Sequence, residues 1–405
     1  MRRSRLAASA AALSLTAFIC GALAPPASRF SARPAASKEV LERVALVARH
    51  GIRSPTRSPE MLQQETGVQW PVWPVAPGQL TAHGRETLHA MMRDIADYYD
   101  LSCHEAGKTC LSRPSPLVWA DSADDRTRES GQIMARAFAP LGKARSLPAG
   151  EHDPLFDGVP EGYVSAHKRV LYDDAASAGA FDASHRPDTV QSGLRALQAL
   201  IVPQGCDSEK GPCFIRPLTI GEKKGRPVID GGPAGAASLA ENLLLIHVEG
   251  LDRDATRWVG RIDEKILSAV LPVHGYMAQL TRRRGALVEQ KAHQLVGVLE
   301  DFLDGNEVTL PDETTVGRDI RFLAFAGHDT TLDALAAHYG LDWHFDDQPD
   351  ETAPDTTLAF ERWRSPEGRI TIRVRLFHQS LAALRQGKGL DLDHGGQILL
   401  EPRHQ

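Results

Sequence analysis

Beyond residue 24, no stretch of the 405-residue chain is apolar enough to cross a bilayer, and no internal repeat or low-complexity run appears. That argues against a multi-span membrane protein and a repeat architecture. The signatures of several enzyme classes are missing too: there is no G-x-S-x-G elbow, Walker loop, H-E-x-x-H pair or G-x-G-x-x-G after a strand. Positive charge is not in excess. With 46 Lys and Arg against 52 Asp and Glu, the formal charge is −6, which disfavours nucleic acid and anionic lipid as partners. An anionic ligand must therefore be met by a local cluster of cations. Cysteine is scarce, five in all, and His83, His247, His274 and His338 lack metal-ligand spacing and read as structural. No metal site is expected.

What is present is a 42% hydrophobic, 24% charged chain able to bury a sizeable core. At about 150 residues per domain its length suits two domains, or one with a large insertion. Arg2, Arg3 and Arg5 precede a nearly continuous apolar or small run over residues 6–24 and then an Ala/Pro/Ser stretch. This is the pattern of a secretory signal, assigned to residues 1–27, and it implies a periplasmic or secreted protein. An uncleaved anchor is the rival reading; a lipoprotein ranks lower because bulky Ile19 precedes Cys20. Losing the three arginines takes the formal charge from −6 to −9.

The other four cysteines form two close pairs, Cys103 with Cys110 and Cys206 with Cys213. Two local disulfides are expected, each contributing about 2.5 kcal/mol in the chain-entropy model. Zinc is the competing reading, but neither pair has the two-residue gap or nearby histidines of such sites.

Hydrophobic periodicity divides the chain. Residues 44–48 and 117–120 read as short buried strands, and residues 83–99 and 125–139 as helices, the alternation of a parallel α/β sheet. Between about 160 and 300 helical patterns dominate, at 190–201, 236–249 and 277–303, interrupted by a Gly/Pro-rich stretch at 205–235 that reads as a long loop. Strand signals return at 321–326, a helix follows at 330–338, and two alternating strands at 358–364 and 370–377 flank the turn Ser365-Pro366-Glu367-Gly368. The fold class expected is α/β, with a mixed, mainly parallel sheet flanked by helices and a smaller inserted all-α domain. The boundaries are 38–158 with 305–400 for the discontinuous α/β domain, and 159–304 for the insertion.

Three strand ends carry unusual polar residues. The first empties into Arg49-His50-Gly51-Ile52-Arg53-Ser54-Pro55-Thr56, the second into Asp121-Ser122-Ala123-Asp124-Asp125-Arg126-Thr127, and the third into Gly327-His328-Asp329-Thr330-Thr331. In open α/β sheets ligands bind beyond the carboxyl ends of the strands, so these segments would converge. Together they suit phosphoryl transfer. Guanidinium groups match phosphate oxygens with paired donors, helix N-termini add backbone donors, a neutral imidazole can attack phosphorus, and a carboxylic acid can protonate the leaving alkoxide. No metal or other cofactor is needed for that chemistry.

These residues resemble the histidine acid phosphatases. RHGIRSPT matches the family's RHGxRxP signature, and GHDTTL its downstream HD motif. Five fixed residue types at fixed spacing should arise by accident about once in ten thousand such chains, at about 5% usage per type. Similarity extends to Trp70-Pro71-Val72-Trp73-Pro74-Val75, Gly78-Gln79-Leu80-Thr81, Arg126-Thr127-Arg128, Asp153-Pro154-Leu155-Phe156 and Phe360-Glu361-Arg362-Trp363-Arg364. These look like the bacterial periplasmic branch with phytases and glucose-1-phosphatases. The resemblance implies His50 as a nucleophile forming a phosphohistidine and Asp329 as the acid for the leaving group. Arg49, Arg53, Thr56, Arg126 and His328 would hold the phosphoryl group, and Arg57 would stand at the substrate rim. Thr56 followed by Arg57 looks more like phytases than glucose-1-phosphatases. Thr331, where relatives commonly carry asparagine, is a departure.

Plainer readings exist for several of these residues. Asp124 and Asp125 could cap a helix and pair with Arg126, Asp329 could itself be a cap, and Arg282-Arg283-Arg284 reads as a solvated helix face. The substrate expected is a small phosphomonoester, myo-inositol hexakisphosphate or another organic phosphate, with a sugar phosphate such as glucose 1-phosphate as the alternative. A mutase, and a non-catalytic phosphate-ester-binding protein on the same fold, are the rivals. A monomer is expected, with no nucleic acid or membrane partner once the signal is removed.

Overall fold

The apolar run at 44–48 has no polar side because neither of its faces meets water: Val44, Leu46 and Ala48 point into one hydrophobic layer, Ala45 and Val47 into the other. A strand buried on both faces reads as a continuous apolar run instead of an alternation. In the computed structural model the described residues are 39–400, apart from 104–109, 160–172, 174, 177–178, 203–205, 207–211, 224–225 and 254–256. The expected signal over 1–27 lies outside them.

The described elements run β1 (Val40–Arg49), α1 (Pro59–Thr66), α2 (Ala82–Tyr98), β2 (Leu117–Ala120), α3 (Asp125–Phe138), β3 (Ala144–Arg145) and α4 (Asp188–Ile201). Next come β4 (Leu218–Lys223), β5 (Arg226–Gly231), α5 (Gly232–Val248), α6 (Glu264–Thr281), α7 (Ala286–Asp304), β6 (Val308–Thr309) and β7 (Thr315–Val316). The chain closes with β8 (Phe322–Gly327), α8 (Asp329–Tyr339), β9 (Thr357–Arg364), β10 (Ile370–Phe377), α9 (Leu381–Gln386) and β11 (Gln397–Leu400). The sheet has seven strands in the order β11-β10-β9-β1-β8-β2-β3. β1, β8, β2 and β3 are parallel neighbours, while β9, β10 and β11 extend the sheet antiparallel. The β9–β10 connection is the turn the sequence suggests, closed by the Gly368 N–H donating to the Ser365 carbonyl at 2.9 Å.

Helices cover both faces of the sheet. Leu88, Met91, Met92 and Ile95 of α2 and Met134 of α3 pack on one side, and Leu295, Leu299 and Phe302 of α7 with Leu332 and Leu335 of α8 on the other. A third apolar cluster joins α4, α5 and α6 through Leu194, Leu197, Leu243, Leu244, Val270 and Leu271. α5 is apolar around most of its circumference, as expected of a helix with neighbours on all sides.

Two readings from periodicity need correction. The 205–235 stretch is not all loop, since Ile220 pairs with Ile229 in the β4–β5 hairpin. The helical pattern at 277–303 belongs to two helices. α6 ends at Thr281, and Gly285 at φ 87° turns the chain into α7, a conformation that suits glycine. Both cysteine pairs are bonded, Cys103 to Cys110 and Cys206 to Cys213. Among the described residues no helix is long and apolar enough to cross a membrane.

Candidate active site

Parallel pairing brings the three polar strand ends together. Arg49 stands opposite Gly327 across β1 and β8, and Ala120 opposite Ala326 across β2 and β8. The His50 N–H donates to the Gly327 carbonyl (2.9 Å) and the Asp121 N–H to the Ala326 carbonyl (3.0 Å), so each loop leaves the sheet at the same level. The first loop is then held flat. Ser54 N–H donates to the Gln79 carbonyl, Thr81 N–H to the Ile52 carbonyl, and Arg53 bridges Leu80 in antiparallel sense.

His50 is 1% exposed, and its Nδ1 is 2.9 Å from the Gly51 carbonyl oxygen. A carbonyl can only accept, so Nδ1 carries the proton and Nε2 keeps its lone pair. Burial first, then the charges of Arg49, Arg126, His328 and Arg53, hold the imidazole well below its usual pKa. The neutral, nucleophilic imidazole is therefore favoured over the imidazolium. The His328 ring lies edge-on to it with centroids 5.5 Å apart.

Arg49, Arg53 and Arg126 surround this imidazole. Arg49 has a fully buried side chain that donates to the Thr352 carbonyl and to Glu241, with Asp350 at 3.8 Å. Arg53 donates to both oxygens of Glu241 at 3.2 Å. Arg126 pairs with Asp124 at 2.6 Å, the helix-turn pairing that the plainer reading foresaw, and sits close enough to Arg49 and Arg53 for their charge to act on it. Each of the three retains a buried Nε–H with no acceptor among the described residues. Buried donors normally find partners, and three such donors on arginines close to one another and to His50 suit an oxyanion.

His328 occupies the N-cap of α8 and Asp329 its first helical position, so the cap is the histidine and not the aspartate. The His328 Nε2 is 2.8 Å from Asp121, and its N–H donates to Thr331 Oγ1 at 3.2 Å. Asp329 is bonded to Arg282. Burial would raise the carboxyl pKa, but Arg282, Arg49, His274 and His328 outweigh it and hold Asp329 well below the carboxylate range.

The Arg282-Arg283-Arg284 reading is corrected here for the first two residues. They sit at the α6–α7 break, not on a helix face, and point inward. Arg282 meets Asp329 and, at 3.6 Å, Asp333; Arg283 meets Asp333 at 2.6 Å and Glu351 at 2.8 Å, with its guanidinium 4.7 Å from the Trp343 ring centre. Arg284 remains exposed.

Thr56 is exposed and Arg57 half-buried, with Arg57 paired to Glu65. Both line a pocket of about 550 Å³ together with Arg53, Asp230, Glu241 and Asn242.

Glu241 escaped the sequence reading, although a lone acid in the run Leu239-Ala240-Glu241-Asn242-Leu243-Leu244 was the available signal. It binds the two arginines that should bind phosphate, and their charge holds it below the usual pKa against the effect of burial. His274 and Asp350 were also missed as site neighbours. The His274 Nδ1 is 3.5 Å from Asp350. Burial lowers the His274 pKa, yet Asp350 and Glu241 more than offset that and raise it.

A family model described as histidine phosphatase superfamily (branch 2) matches residues 40–195. Phytase AppA of Escherichia coli (strain K12) is 28% identical over 87% of this chain and 84% of its own length. Glucose-1-phosphatase of Providencia rettgeri is 22% identical over 94% of this chain and 90% of its own. The solved structure of Hafnia alvei phytase in complex with myo-inositol hexakis sulphate superposes with a TM-score of 0.75 at 25% identity, covering 90% of this chain and 91% of that one.

Proposed function

The chain belongs to branch 2 of the histidine phosphatase superfamily, and from that premise we propose a phosphomonoester hydrolase that works through a phosphohistidine. Its substrates are myo-inositol hexakisphosphate and other organic phosphates, the reading that the phytase relatives support. The observation that carries it is His50, neutral, with Nε2 unprotonated and three arginines around it.

In the first step the Nε2 lone pair attacks phosphorus and the bond from phosphorus to the ester oxygen breaks. Asp329 gives its proton to the departing alkoxide, and His50 carries the phosphoryl group. Arg49, Arg53, Arg126, His328 and the Thr56 hydroxyl hold the non-bridging oxygens. In the second step water attacks phosphorus, its proton passes to Asp329, the N–P bond breaks and inorganic phosphate leaves. Two groups must change state for this. Glu241 has to swing off Arg49 and Arg53, because a carboxylate and a phosphate cannot share those donors. Asp329, paired with Arg282 and held low by the cations around it, has to take up a proton before it can act as the acid, and it does so more readily as the pH falls. An acidic pH optimum follows.

Residues 38–158 and 305–400 make up the catalytic α/β part in this reading, and the helices within 159–304 wall the cleft. The two disulfides favour an oxidising compartment, so the protein works in the periplasm or outside the cell, as a monomer. The test is phosphate release from p-nitrophenyl phosphate and from myo-inositol hexakisphosphate. Wild type should turn over, and His50→Ala should lose more than about three orders of magnitude in kcat. Turnover unaffected by that change would overturn the mechanism, and binding of phosphate esters without any turnover would make the protein a binder.

A further inference from the structure

The groups that hold phosphate in the proposed mechanism are themselves held by acids. Glu241 is paired with Arg49 and Arg53, and Asp124 with Arg126. Asp121 takes a histidine instead, its Oδ2 lying 2.8 Å from the His328 Nε2. A guanidinium has five N–H donors and can give one to an acid while others meet substrate. An imidazole has two nitrogens, so where its ring points depends on what they bind.

Asp121 is itself fixed. Its N–H donates to the Ala326 carbonyl of β8 at 3.0 Å, its carbonyl accepts from Thr127 Oγ1 at 2.8 Å, and its Oδ1 accepts from the Ala123 N–H at 3.0 Å. With Oδ1 turned to the backbone, Oδ2 is left for the imidazole, in a residue only 4% exposed. A carboxylate accepts and does not donate, so the His328 Nε2 carries the proton. Asp124 is the other carboxylate near this nitrogen, at 3.8 Å, but it is engaged with Arg126 at 2.6 Å. The His328 backbone is pinned at the start of α8 by Thr331 Oγ1, and Asp121 pins the ring, which stands at 82° to the His50 ring.

Resting on the phosphatase reading above, we propose that Asp121 is a positioning residue of the reaction. It acts through His328, holding the imidazole in one orientation, with Nε2 protonated, beside the phosphoryl group that His50 receives. Asparagine cannot replace it, although the shape is the same. The Ala123 N–H and the His328 Nε2–H each need an acceptor, and an amide has one oxygen to offer where the carboxylate has two.

The test is a double-mutant cycle on p-nitrophenyl phosphate with wild type, Asp121→Asn, His328→Ala and the double variant. Asp121→Asn alone should lower kcat by about tenfold to a hundredfold, the scale of a misplaced group, with a smaller change in KM. Added to His328→Ala it should change kcat by less than about threefold, because no ring is left to position. If Asp121→Asn costs the same factor with and without His328, Asp121 serves the fold alone and the inference falls while the phosphatase reading stands. Wild-type kcat in Asp121→Asn overturns it as well. If wild type hydrolyses no phosphate ester, the phosphatase reading falls and takes the inference with it. Should Asp121→Asn fail to fold, nitrogen-15 shifts of the wild-type imidazoles decide, with His328 assigned by its loss in His328→Ala. A protonated Nε2 supports the inference, and an unprotonated one overturns it.

Discussion

Arg49 and His50 are buried and Asp329 largely so, and the protonation of His50 and Asp329 is biased by the charges around them. Around Asp329 the cations are Arg282, Arg49, Arg126, His274 and His328, and the anion is Glu241; Asp333 shares Arg282. Arg282 is the largest of the influences that lower the Asp329 pKa. Removing its charge therefore raises that pKa, the acid keeps its proton to higher pH, and the alkaline limb of the profile moves up. We expect Arg282→Gln to shift the alkaline limb of kcat/KM against pH upward and Arg282→Lys to leave it nearly in place. A limb that stays put in Arg282→Gln, or moves down, would mean that Asp329 does not govern it. At this scale the motif residues were legible because their chemistry is local, five fixed residues within seven positions of chain. Glu241 and Arg282 were not, because what matters is which groups they meet across 188 and 47 positions of sequence.

Elements carry the geometry in which those residues work. The catalytic loop lies directly against the first turn of α2, and two glycines make the approach possible. A Cβ on Gly84 would stand 2.1 Å from the Ile52 carbonyl oxygen, and one on Gly51 would stand 2.8 Å from the Gly84 carbonyl oxygen. Both neighbours are backbone and cannot rotate aside. Gly84→Ala must then push α2 and the loop apart. We expect a cost of about 1–3 kcal/mol in stability, the usual range for overpacking, together with a fall in kcat of about tenfold or more as His50 is displaced. Denaturant midpoints and steady-state kinetics measure the two. Wild-type values for both would show that the loop has slack that the packing does not reveal. Strands and helices were legible from periodicity wherever they were buried on a regular face. The α6–α7 break was missed because the apolar period continues across it, with only Gly285 to mark the turn. The β4–β5 hairpin was missed because its glycines and prolines dominate the local composition.

Across the whole molecule, a chain with a formal charge of −6 gathers its positive charge at the carboxyl ends of three adjacent parallel strands. The order β1-β8-β2 makes this happen: segments near positions 50, 121 and 328 are far apart in sequence and neighbours in the sheet. The parallel part of the sheet was legible as buried runs alternating with helices. The antiparallel flank of β9, β10 and β11 extends it to seven strands, the last of which carries no strong pattern of its own. The helices α5 and α6 then close the cleft from the side, contributing Glu241 and His274, and Arg282 follows at the end of α6. This arrangement is why a site that looks cationic in the sequence is charge-paired within the protein, and why Glu241 gives way to substrate in the mechanism we propose. The central claim is that phosphate passes through His50, and it is tested most directly by trapping the intermediate. The protein is mixed rapidly with p-nitrophenyl phosphate, quenched in alkali to preserve phosphohistidine, and mapped by peptide mass spectrometry. The account predicts one phosphoryl group on the imidazole of His50, absent in His50→Ala. Turnover with no phosphoryl group on His50, or with one on another side chain, would contradict it.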